Sequence, residues 1–163
     1  MKAKIIFLIL ICCALNSVLA QKAITISIKD NTGLQYVLNE YYFNNDSLRI
    51  RGDSDYGRSK IEYLKRKLNK AEIKKLKSFM KTFPADSLED SYFNEFNTMK
   101  YISADHFPRV VDVEIDYNGK NYKSKMTNCY AVKIANLCNF LNEFIPPEVR
   151  IKLRKEEFDA VIK

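Results

Sequence analysis

The chain has 163 residues, with 27 Lys and Arg against 20 Asp and Glu, a formal charge of +7, and a single histidine. Aromatic residues are 12% of it while glycine and proline number only four each, which suits a chain that folds on an apolar core and excludes a disordered or low-complexity polymer. One histidine and four cysteines, two of them in the first thirteen residues, leave too few well-placed ligands for an ordinary zinc site.

The first twenty residues read as an address. Lys2 and Lys4 give a positive start, Ile5 to Leu15 is an unbroken apolar run, and Val18-Leu19-Ala20 places modest side chains where a signal peptidase inspects them. That is the layout of a secretory signal peptide, and the run is too short to span a bilayer. Cleavage is expected between Ala20 and Gln21, with export to the periplasm, the cell surface or the medium. Cys12 follows Ile11 and Cys13 follows Cys12, a poor match to a lipidation site, which needs a small residue before the cysteine. Residues 21–163 are then one domain of 143 residues. Losing Lys2 and Lys4 leaves 25 basic against 20 acidic residues, or +5.

Residues 23–28 alternate, with Ile24, Ile26 and Ile28 on one face, as a half-buried strand does. Asp30-Asn31-Thr32-Gly33 reads as a turn, 34–43 as a second strand, 44–46 as a turn and 47–51 as a third strand. Gly52 to Ser59 reads as a polar loop, and Ile61 to Leu68 as a fourth strand. Asn69 followed three residues later by Glu72 is a capping box, which opens a helix over about 70–82. Ile73, Leu76, Phe79, Met80 and Phe83 form its apolar stripe, and Pro84 ends it. Residues 85–108 read as an irregular segment, with a short helix over 87–94 as a candidate.

Val110 to Met126 is the clearest unit. Asn118-Gly119 between two alternating runs is a two-residue hairpin signal. It sets Tyr117 opposite Lys120, Ile115 opposite Tyr122 and Val113 opposite Ser124 on one face, and Glu114 opposite Lys123 and Asp112 opposite Lys125 on the other. A second helix is expected over about 130–144, ended by Pro146-Pro147, with 149–154 as a candidate last strand. The order strands, helix, hairpin, helix gives an α+β class: an antiparallel sheet of about five to six strands with two main helices packed on one face.

The acids Asp112, Glu114 and Asp116 share a strand face, but lysines opposite two of them make cross-strand ion pairing a better account than a cation site. No glycine-rich phosphate loop is present, and no cofactor is expected. Arg51-Gly52-Asp53 spells an adhesion tripeptide, for which Gly-Asp turn chemistry is the ordinary account. Cys129 and Cys138, nine residues apart, are poorly spaced for a disulfide along one helix and are expected as buried free thiols. The catalytic constellation open to test is Cys129 near a helix start with His106 as its base and Asp105 or Asp112 orienting the ring.

Charge is distributed unevenly. Residues 58–81 hold ten basic residues and two acids, a net +8 that leaves −3 for the rest of the mature chain. Lys70, Lys74, Lys77 and Lys81 recur at helical spacing as a candidate contact face for an anionic surface or an acidic protein partner. Nucleic acid is a poor partner for an exported protein, and the lysines lack the interleaved aromatics of a single-strand platform.

The leader ending Val18-Leu19-Ala20-Gln21, the segment Arg66-Lys67-Leu68-Asn69-Lys70-Ala71-Glu72 and the closing Leu141-Asn142-Glu143-Phe144-Ile145-Pro146 together give a chain that resembles small exported bacterial proteins of unknown function. That resemblance implies an exported α+β domain and transfers no site residues. The expected function is a non-enzymatic binding module using the basic helix face or the sheet face. A small cysteine-dependent enzyme and a structural envelope protein are the alternatives.

Overall fold

A computed structural model describes residues 23–31, 38–54, 59–93, 109–155 and 161–162. Seven strands form one sheet: β1 (Ile24–Asn31), β2 (Leu38–Asn44), β3 (Ser47–Ser54), β4 (Ser59–Lys67), β5 (Ser91–Phe93), β6 (Val110–Tyr117) and β7 (Lys120–Thr127), in the spatial order β4-β3-β2-β1-β6-β7-β5. All neighbours are antiparallel except β5, which pairs parallel to β7. The helices are α1 (Lys70–Thr82) and α2 (Val132–Leu141), and a two-residue ladder joins β8 (Tyr130–Ala131) to β9 (Val161–Ile162).

The hairpin follows the sequence reading residue for residue. Asn118 and Gly119 take φ of 56° and 75°, the left-handed values a tight hairpin turn needs, and Tyr117↔Lys120 through Val111↔Met126 fall in the expected register. Strand alternation sorts the rest of the sheet. Ile24, Ile26 and Ile28, Tyr41 and Phe43, Leu48 and Ile50, Val111, Val113 and Ile115 and Met126 all point to one buried face. They share one core with Leu76 and Met80 of α1 and with Ile134, Leu137, Cys138 and Leu141 of α2.

Several expectations need correction. The sheet has seven strands rather than five or six, because the segment after α1 returns as β5. Hydrogen bonds near that strand hold it in place, with Lys125 N donating to the Asp90 carbonyl and Ser124 Oγ to that of Glu89. The candidate helix over 87–94 is instead a 3₁₀ turn, Ala85–Ser87, followed by β5. Asp30 and Asn31 extend β1 rather than turning, and Gly52 and Asp53 extend β3 rather than opening a loop, Gly52 paired to β2 and β4 and Asp53 to β4. Residues 149–154 form no strand, and the last one is Val161–Ile162. α2 starts at Val132, two residues later than expected, because Tyr130 and Ala131 pair with β9.

α2 is the central helix, burying five of its ten residues, whereas α1 buries two of thirteen. A chain of rings joins the layers. Phe79 of α1 stacks on Phe140 at 3.8 Å between centroids, Phe140 meets Phe144 edge-on at 5.3 Å, and Phe144 meets Phe43 of β2 at 6.0 Å. The N-terminus of α1 is fixed by the capping box read from the sequence: Asn69 Oδ1 accepts from Glu72 N at 3.0 Å, and Glu72 Oε2 accepts from Asn69 N at 2.8 Å. Arg66 of β4 grips the same carboxylate at 2.8 and 3.0 Å and also donates to the Phe144 carbonyl, tying together the sheet, α1 and the 3₁₀ turn that follows α2.

Those Arg66 hydrogen bonds hold the Glu72 carboxyl below its ordinary range, with the Asn69 amide adding to them and partial burial opposing. A lowered folded-state pKa stabilises fully above the unfolded value, about 4.3, and the gain is lost as pH falls through the folded value. Glu72→Gln is therefore expected to cost about 1 kcal/mol at pH 7. Urea titrations should show that cost shrinking from about pH 5 toward pH 3. A cost that does not change with pH would remove the ionised cap.

Candidate functional site

The capping box sets where α1 begins, and its apolar stripe sets which side faces the core, so the lysines fall where the helical period sends them. Lys70, Lys74, Lys77 and Lys81 recur at intervals of four, three and four, one per turn along a single flank. Lys70, Lys74 and Lys81 are exposed and Lys77 is half-buried. Together with Ile73 and Ser78 they line one shallow depression. Among the described residues none of the four joins an ion pair or a side-chain hydrogen bond. Their neighbours differ: Lys75, on the other flank, pairs with Glu143, and Arg66 pairs with Glu72.

Local energetics oppose most of this stripe, Lys81 in the last turn being the exception. Lys70/Lys74, Lys74/Lys77 and Lys77/Lys81 are like-charge neighbours on the helix surface, each unfavourable by about 0.2–0.5 kcal/mol. Lys70 and Lys74 also stand near the N-terminal end, where the helix dipole opposes cations.

The uncovered sheet face is also charged, and several of its charges meet partners, although Asp112 and Lys125, opposite each other, form no ion pair. Arg49 Nε lies 2.5 Å from Glu62, Lys60 3.8 Å from Glu40 and Lys123 3.1 Å from Glu114. Asn121 Nδ2 donates to Glu114 at 3.0 Å and to Asp116 at 2.6 Å, and the first of these bonds, with that from Lys123, holds the Glu114 carboxyl below its ordinary range. Two shallow depressions run across this face and meet at Ser27 and Lys29. Their linings mix both signs of charge.

Compared with known families, characterised proteins and solved structures, the chain matches none.

Cys129 and Cys138 are both free and fully buried, as the spacing led one to expect. Burial raises both thiols above their ordinary range, the reverse of what a thiolate nucleophile needs. Cys129 also stands before the Ala131 cap rather than in the first turn of α2. Its expected partners His106 and Asp105 lie outside the described residues, and Asp112 stands exposed on β6 opposite Lys125. Among the described residues, no group of three His, Cys, Asp or Glu is placed to hold a metal ion, and no helix is long and apolar enough to cross a membrane.

A buried pair went unread in the sequence. Asp30 is 3% exposed, and Arg109, just ahead of β6, grips it with Nε at 3.0 Å and Nη2 at 2.7 Å. The same Nη2 donates to the Lys152 carbonyl at 2.6 Å. The pair thus joins the end of β1 to the start of β6 and to the chain beyond α2. The available signal was the two-residue period: after Ile24, Ile26 and Ile28 the next inward position is Asp30, which turn chemistry had claimed.

Proposed function

We propose that this protein is an exported, non-enzymatic binding module whose contact surface is the lysine flank of α1, taking an anionic surface or an acidic protein partner. The observation that carries the reading is that Lys70, Lys74, Lys77 and Lys81 stand in one line without counter-charges among the described residues, while Arg66 and Lys75 beside them are paired. A field of one sign over one face draws and orients an oppositely charged partner. The charges of the sheet face offset one another, so that face supports the reading less.

The leader supports placing the activity outside the cytoplasm, where cell-envelope polymers and acidic surface proteins supply such partners. Capture from a native envelope fraction tests this. Wild-type bait is expected to retain a partner that Lys74→Glu/Lys77→Glu/Lys81→Glu bait loses; equal capture by both would remove the proposal.

A further inference from the structure

At one end of the sheet, the face that elsewhere forms the core changes character. The isoleucines of β1 give way to Asp30, its neighbour on β2 is Asn39, and the next position on β3 is Gly52. A β-bulge in β4 opposite Ile50 and Arg51 leaves Tyr63 as the extra residue. Its ring folds down over Gly52 so closely that a Cβ there would sit 2.3 Å from Tyr63 Cε2. The result is a cavity of about 410 Å³, at the lower end of the range for small-molecule pockets.

The cavity's chemistry is selective. Tyr41 keeps only 4% of its surface, and its hydroxyl makes no hydrogen bond among the described residues. That hydroxyl is not sealed in, since no buried side-chain oxygen or nitrogen among the described residues lacks a partner, so its remaining exposure faces the cavity it lines. Burial, and after it the charge of Asp30, raise the pKa of this phenol, which keeps it a donor across the physiological range. The Asp30 carboxylate is already taken by Arg109.

That leaves Arg150 and Lys152 on the wall against the single acid Glu148, a surplus of one positive charge. Arg150 uses Nε on the Ile145 carbonyl, and its two terminal nitrogens make no hydrogen bond among the described residues. Ile50, Val149 and the Tyr63 ring supply an apolar side.

We infer that this cavity binds a small organic carboxylate, with the Tyr41 hydroxyl and the Arg150 guanidinium as donors to its anionic end and Tyr63, Ile50 and Val149 against its apolar body. The inference does not rest on the lysine flank of α1.

Benzoate is the probe and benzamide its uncharged counterpart, each titrated into the full chain and followed by NMR shifts of the tyrosine resonances. Saturable benzoate binding is expected, with benzamide weaker by roughly tenfold, the worth of one charge-assisted hydrogen bond. Arg150→Gln should weaken benzoate by roughly tenfold and Tyr41→Phe by roughly fivefold. Arg150 is exposed, so its variant keeps the test sound if Tyr41→Phe fails to fold. Absence of saturable benzoate binding, equal affinity for benzamide, or an Arg150→Gln variant that binds like wild type would each overturn the site. Lys74→Glu/Lys77→Glu/Lys81→Glu should leave benzoate binding unchanged, which separates this site from the α1 surface.

Discussion

Asp30→Ala is expected to destabilise the protein by about 3–5 kcal/mol, because it takes from the partly buried Arg109 guanidinium the carboxylate it grips at two points. The side chains are 4% and 17% exposed, and the two bonds of the pair are 3.0 and 2.7 Å. Against a total stability of about 5–15 kcal/mol, such a loss removes much of the margin, and urea midpoints should fall accordingly. The double variant Asp30→Leu/Arg109→Met is expected to recover most of it, since apolar replacement of a whole buried pair is often neutral. A loss below about 1 kcal/mol for Asp30→Ala would show that the pair is not the clasp joining β1, β6 and the chain beyond α2.

The lysine flank carries the opposite expectation. Replacing Lys74, Lys77 and Lys81 by glutamine removes the two like-charge contacts among them and the one that Lys74 makes with Lys70. It should leave stability unchanged or raise it by up to about 1 kcal/mol. The same substitutions should abolish binding to an anionic partner. The wild-type melting temperature should rise slightly with salt as screening relieves the repulsion, while binding weakens. Thermal melts and binding at two ionic strengths check both. A triple variant that lost stability would mean that the lysines serve the fold.

What the sequence disclosed depended on how local the determining physics was. The Asn118-Gly119 turn fixes its own register, and the Asn69–Glu72 box fixes where α1 starts, so both were legible in a few residues. The lysine flank was legible for the same reason: once the helix is placed, spacing alone puts Lys70, Lys74, Lys77 and Lys81 on one side. The missed features join distant parts of the chain. β5 is three residues long and owes its existence to β7, more than thirty positions away. Asp30 and Arg109 are 79 positions apart, and each alone reads as a turn or loop residue. Tyr63 comes to rest on Gly52 through a bulge that no local propensity announces. The cavity at that end of the sheet was invisible for this reason.

The central claim, that α1 and not net charge makes the contact, is tested most directly by two variants carrying the same change in charge. Lys74→Glu/Lys77→Glu/Lys81→Glu on α1 is compared with Lys60→Glu/Lys65→Glu/Lys67→Glu on β4, by the salt concentration at which each leaves an anionic matrix. The α1 variant is expected to pass without retention, while the β4 variant is still held. Indistinguishable elution of the two would contradict the account.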